Sequence, residues 1–155
     1  MKKILFLVSA AMFAFVSCNF NPPTKEGNHQ ALHAYLGTAV IDKGAYETDP
    51  IQVDFITSDS IKGAYMVYFH DAKFAEKMPQ MDIVIDGVVN TDVNTYECDS
   101  IVPDMVMGII RVPVERYLIR NLKAVFSEKN GDTYMSLEMM CGSYFLEFNG
   151  VYDAE

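Results

Sequence analysis

The run Thr133-Tyr134-Met135-Ser136-Leu137-Glu138-Met139-Met140-Cys141-Gly142-Ser143-Tyr144-Phe145-Leu146-Glu147-Phe148-Asn149 decides the fold class. Met135, Leu137 and Met139 alternate with Ser136 and Glu138, and Leu146 and Phe148 alternate with Glu147 and Asn149. A period of two places successive side chains on opposite faces of an extended chain, so each half carries one apolar and one polar face. Gly142-Ser143 turns the hairpin between them. Just upstream, Asn130-Gly131 is the strongest local hairpin signal in the chain, because a type I′ turn needs φ > 0 at both central residues.

The same period extends back to Tyr35. Ile51, Val53 and Phe55 alternate with Gln52 and Asp54; Tyr65, Val67 and Phe69 with Ala64, Met66 and Tyr68; Ile83 and Ile85 with Asp82 and Asp86; Tyr117 and Ile119 fall between arginines. Asp, Asn, Gly, Pro and Ser separate these runs, as turn chemistry requires. A single short helix is expected, over Asp71 to Met78, where Ala72, Phe74, Ala75 and Glu76 favour one or two turns before Pro79 stops them. Roughly eight strands with one short helix imply a sheet closed on itself, since closure removes edge strands. The expected fold is all-β: one eight-stranded antiparallel up-and-down barrel, its interior filled by side chains or by one small ligand.

The N-terminus has a different character. Met1-Lys2-Lys3 precedes a thirteen-residue apolar stretch from Ile4 to Val16, then Ser17 and Cys18. Thirteen residues are too few to span a bilayer, which takes about 20. A basic start, a short apolar stretch and a small residue form a secretory signal peptide. Phe15-Val16-Ser17-Cys18 resembles the lipobox of bacterial lipoproteins, which implies cleavage before Cys18, lipid on its thiol and a stable membrane anchor. Residues 1–17 are then the signal peptide, 18–32 a lipidated tether rich in Asn, Pro and Gly, and 33–155 the barrel domain. Only the isolated Glu26 follows the cysteine closely, which favours a periplasm-facing anchor, on the outer membrane, over surface export.

Removing Lys2 and Lys3 leaves 10 basic against 21 acidic residues, a balance of −11 compared with −9 for the whole chain. So acidic a surface repels phosphate backbones and anionic headgroups, so nucleic acid is not an expected partner. The membrane link must be the lipid. Cys98 and Cys141 are the remaining cysteines, open between a disulfide in an oxidising compartment and two buried thiols.

Several stretches together resemble the calycin-like β-barrel domain of small lipoproteins from Gram-negative anaerobes. They are Tyr35-Leu36-Gly37, Phe74 with Met78-Pro79, Asp82-Ile83-Val84-Ile85-Asp86-Gly87-Val88, and Phe148-Asn149-Gly150. The resemblance covers about Tyr35 to Tyr152 and implies a lipocalin-like barrel with no assigned activity. The chain has no Trp, so the Gly-x-Trp signature of lipocalins is missing.

No catalytic constellation emerges, and neither an enzyme activity nor a cofactor is expected. His29 and His33 have helical i, i+4 spacing but no third ligand, and they lie at the end of the tether. His70 and Asp71 are neighbours, yet adjacent strand residues face opposite ways. Asp82 and Asp86 share a face about 13 Å apart by strand rise, further than paired-carboxylate glycosidases use, and are expected on a solvated face. Met105 and Met107 flank a Pro-bounded segment that either fills core or lines a mouth. Asp59-Ser60-Ile61 and Asp99-Ser100-Ile101 resemble the O-glycosylation site of some Gram-negative anaerobes, both at expected turns.

Two functions remain open. One is a binding module holding a small apolar or amphipathic ligand between Phe55, Tyr65, Tyr117, Met135 and Phe148. The other is a solidly packed barrel whose loops meet another envelope protein, as an inhibitor would. A pocket of about 300 Å³ or more separates them.

Overall fold

Each alternating run forms a strand whose apolar residues turn inward. In a computed structural model, residues 32–154 are described. The strands are β1 (Ala34–Ile41), β2 (Tyr46–Glu47), β3 (Ile51–Thr57), β4 (Tyr65–Ala72), β5 (Met81–Asp92), β6 (Thr95–Ile101), β7 (Asp104–Met107), β8 (Ile110–Pro113), β9 (Ile119–Lys129), β10 (Asp132–Cys141) and β11 (Tyr144–Tyr152). Eight of them pair antiparallel in the order β4-β3-β1-β11-β10-β9-β6-β5, and β5 returns to β4. The result is a closed up-and-down barrel. Short β2 lies beside β1, and the β7–β8 ribbon branches from β5 at Asp82–Val84.

Because successive strands reverse direction, the connections over residues 42–50, 73–80, 102–118 and 142–143 gather at one end, here called the mouth. The start of β1, the end of β11 and the turns at 58–64, 93–94 and 130–131 occupy the other.

Inward positions follow the expected alternation. Met135, Leu137, Met139 and Cys141 of β10, and Leu146 and Phe148 of β11, are buried. They meet Val53 and Phe55 of β3, Val67 and Phe69 of β4, Ile83 and Ile85 of β5, and Leu122, Ala124 and Phe126 of β9 in one core. Burying a large aliphatic or aromatic side chain contributes roughly 1.5–3 kcal/mol, so this single lining supplies most of the driving force.

Asn130 and Gly131 adopt φ of 56° and 88°, the turn their sequence signals, and hold Asp132 opposite Lys129. Nothing surrounds a side chain built on Gly131, so a substitution there meets only backbone strain. Gly131→Val should therefore lower stability by at least about 1 kcal/mol, a β-branched residue being disfavoured at positive φ. Urea melts would show this as a lower midpoint, and an unchanged midpoint would exclude the tight turn.

Four expectations are corrected. Residues 71–78 are not helical: β4 continues to Ala72 through Asp71 at φ 48°, and a turn closed by Met78 N–H on the Ala75 carbonyl follows. Burying Phe74 and Met78 in the mouth outweighs the weak local helix preference. Tyr117 is not a strand residue but ends the 3₁₀ turn Glu115–Tyr117 before β9. The methionine segment neither fills core nor borders the mouth cavity described below; it is the β7–β8 ribbon, with Met107 at 68% exposure, Ile110 at 61% and Ile109 fully exposed. Finally, Asp82 and Asp86 are half-buried rather than solvated. The Asp82 carboxylate accepts from Tyr68 Oη at 2.7 Å and Asp71 N at 2.8 Å, and Asp86 accepts from Ser60 Oγ at 2.5 Å. Arg111 of β8 reaches Asp59 at 3.8 Å across the same outer face.

Candidate functional site

The lower half of the barrel is filled by rings. Phe55 lies edge-on to Tyr96 at 4.8 Å and to Phe126 at 4.9 Å, and stacks on Tyr65 at 5.5 Å. Tyr65 meets Tyr96 at 4.8 Å, and Tyr35 meets Phe126 at 5.4 Å. These separations are those of packed aromatic pairs, and no ligand fits between them. Burial raises the hydroxyl pKa values of Tyr35 and Tyr96. Higher up, Phe69 is edge-on to Phe74 at 5.3 Å and to Phe148 at 6.3 Å.

Above this plug lies an open cavity of about 410 Å³ at the mouth. Phe74 and Met78 from the β4–β5 connection form its floor, and the Phe74 N–H points at the Met78 sulfur, 3.4 Å away. Pro79, Tyr117 of the 3₁₀ turn, and Ser143 and Tyr144 of the last hairpin form its sides. Lys77 and Arg116 also line it, the Arg116 guanidinium lying 5.7 Å from the Tyr117 ring centre. The hairpin is held against the turn by Gly142 N–H on the Leu118 carbonyl at 2.9 Å and by Arg120 Nη2 on the Gly142 carbonyl at 3.0 Å. Cys141 borders the cavity, and burial pushes its thiol up to about 11, so it is protonated at neutral pH.

Of the five residues expected to line a ligand site, only Tyr117 does so at the mouth. Phe55, Tyr65 and Phe148 belong to the packed interior, and the Met135 side chain points into the core. A second, shallow depression of about 550 Å³ runs over the outer face of β1, β11 and β10, bordered by Leu36, Tyr134 and Val151 with Lys129 at its rim.

Cys98 and Cys141 are both free thiols, since β9 stands between their strands, pairing Leu122 with Cys98 and Ile119 with Cys141. Burial raises the Cys98 pKa as well. Ser60 is at the 58–64 turn with its hydroxyl on Asp86. Ser100, expected at a turn, is instead a strand residue paired with Arg120, though exposed. Cys18 and His29 lie outside the described residues. His33 packs its ring on Tyr152 at 4.5 Å.

His70 takes Asp54, not Asp71, as its partner, at 2.7 Å from Nε2, and lies over Tyr68 at 4.4 Å. The neighbouring Tyr68 hydroxyl is raised to about 12 by burial and by its hydrogen bond to Asp82. Burial works to raise the Asp82 pKa, but the hydrogen bonds from Asp71 N and Tyr68 and the nearby His70 outweigh it and hold the carboxyl below its usual value. This outer-face cluster ties β3, β4 and β5 together through their side chains. Among the described residues, no three His, Cys, Asp or Glu side chains converge as metal ligands, and no helix is long and apolar enough to cross a membrane.

Comparison with protein-family models, curated proteins and solved structures finds no match. The site must therefore be interpreted from its own chemistry.

No pattern within any one segment could have revealed the mouth. Lys77, Arg116 and Ser143 come from three connections spread over 67 residues, and only barrel closure brings them together.

Proposed function

We propose that this chain is an envelope lipoprotein of the calycin-like barrel type, acting as a non-catalytic binding module for a small apolar or amphipathic ligand held at the mouth. The observation that carries this reading is the cavity of about 410 Å³ above a sealed interior, with Phe74, Met78, Tyr117 and Tyr144 around it. Its volume falls in the range of small-molecule sites, and its mixture of apolar walls with a few polar groups is their usual composition. The closed up-and-down barrel supports the family assignment at the level of fold only.

Binding of an environment-sensitive apolar dye tests it. Ala75→Trp, placed on the cavity wall, should weaken dye binding at least tenfold while the far-UV spectrum shows the barrel still folded, because the new ring occupies the ligand's space. Unchanged dye binding in that variant would move the site elsewhere or remove it.

The anchor has its own test. Cys18→Ser removes the thiol that would accept lipid and should shift the protein from the detergent phase to the aqueous phase, or leave it uncleaved. Quantitative retention in detergent would overturn the lipoprotein assignment.

One observation favours the second reading, an interaction protein with loops turned to an envelope partner. The β7–β8 ribbon presents Met107, Ile109 and Ile110 to solvent at the end opposite the start of β1. Apolar exposure concentrated on one projecting ribbon is unusual for a free surface.

A further inference from the structure

The connections at the mouth carry both signs of charge, with Glu76 beside Lys77 and Glu115 beside Arg116, but the cavity they enclose is lined by cations alone. The chain holds 21 acidic residues against 12 basic ones, yet the mouth cavity is lined by Lys77 and Arg116 and by no carboxylate. The ion pairs found among the described residues are Arg111 with Asp59 and His70 with Asp54, so neither mouth cation is spent on a partner of its own. Arg116 is oriented by lying over the Tyr117 ring, and the Arg120 guanidinium, bonded to the Gly142 carbonyl, adds a third positive charge just behind the rim. Beneath the two cations the floor is apolar, made by Phe74 and Met78.

A cationic rim over an apolar floor is complementary to one kind of molecule. We infer that the mouth binds an anionic amphiphile, its ionised head between Lys77 and Arg116 and its apolar tail on Phe74 and Met78. This rests on the binding reading above and names its ligand class. Charge-assisted hydrogen bonds from lysine and arginine hold a carboxylate or phosphate oxygen strongly, and a guanidinium can engage two oxygens at once. The net acidic surface repels the same molecule, and the cavity lining, which holds no carboxylate, is the exception. The protonated Cys141 thiol at the cavity wall adds no negative charge to oppose it.

Three probes of equal chain length separate head from tail: octanoate, octanol and octylammonium, titrated into the 155-residue Cys18→Ser chain in detergent-free buffer. Octanoate should bind at least tenfold more tightly than the other two, and its affinity should fall as salt rises, because exposed charges are screened within about 10 Å at 0.1 M. Lys77→Gln and Arg116→Gln should each weaken octanoate several-fold and leave octanol unchanged, while Lys77→Arg should retain octanoate binding. Octyl phosphate distinguishes the source of the head: tighter binding than octanoate assigns a phosphate, weaker binding a carboxylate, and both support an anionic head. Equal affinity for octanoate and octanol, or octanoate binding that ignores both glutamine variants, overturns the inference while leaving a neutral-ligand module intact. If none of the probes binds and Ala75→Trp leaves the dye result unchanged, the binding reading itself fails.

Discussion

Phe148→Ala is expected to lower the unfolding free energy by roughly 3–5 kcal/mol, the usual cost of truncating a buried phenylalanine. Phe148 is wholly buried and edge-on to Phe69 at 6.3 Å. Its ring also lies over its own strand, with Cζ and Cε1 only 2.6 and 2.7 Å from where a Cβ on Gly150 would stand. Removing the ring uncovers that backbone and leaves a void in the middle of the barrel. The wall cannot fall in to fill it, because β11 is laddered to β1 on one side and to β10 on the other. Cost rises with the cavity that remains, so the effect belongs in the upper part of the range. Phe148→Leu keeps more of the volume and should cost less. Urea denaturation measures both, and a loss under about 1 kcal/mol for the alanine variant would mean the ring is not a core element.

Strand chemistry was legible in the sequence wherever burial alternates strictly. The inward set of β10 and β11 follows directly from Met135 to Phe148, since one face meets the core and the other meets water. The turn at Asn130-Gly131 was equally plain, because its residue types are demanded by backbone conformation. Legibility failed where tertiary contact decides. Around Asp71 to Met78, helix-forming residues lose to the burial of Phe74 and Met78, and nothing local reveals that a barrel mouth waits for those two side chains. Asp82 and Asp86 look like a solvated face in one dimension but are covered by the 58–64 turn and by Tyr68. Whether the interior is hollow was also out of reach, since Phe55, Tyr65 and Tyr96 suit equally a ligand wall and a plug until their separations are known. The mouth cavity was the least legible, with Tyr117 the one expected wall residue that borders it, because a mouth assembled from distant connections leaves no periodic trace.

Gly37→Ala should be as damaging as the loss of Phe148, although it adds one methyl group. Gly37 of β1 lies directly opposite Gly150 of β11, so the stretches Tyr35-Leu36-Gly37 and Phe148-Asn149-Gly150 meet where the last strand joins the first. A Cβ at Gly37 would stand 2.0 Å from the Asn149 carbonyl oxygen and 2.5 Å from the Gly150 Cα. These are backbone atoms fixed by ladders on both sides of β11, so no side-chain rotation relieves the contact. Glycine inside a strand ordinarily weakens it, and its presence here marks a close approach of two main chains. Overpacking typically costs about 1–3 kcal/mol where side chains can yield; with backbone on the far side, the cost should reach or pass about 3 kcal/mol. Against a domain stability of roughly 5–15 kcal/mol, that is enough to separate β11 from β1 and open the barrel along this seam. Leu36→Ala, one residue away and facing solvent, should stay within about 0.5 kcal/mol. Thermal melts of the two variants, with amide exchange read on Val40 and Glu147 further along the same ladder, separate local strain from opening of the seam. Faster exchange at both sites in Gly37→Ala is the expected result, and a melt indistinguishable from that of Leu36→Ala would mean that the two strands do not approach this closely.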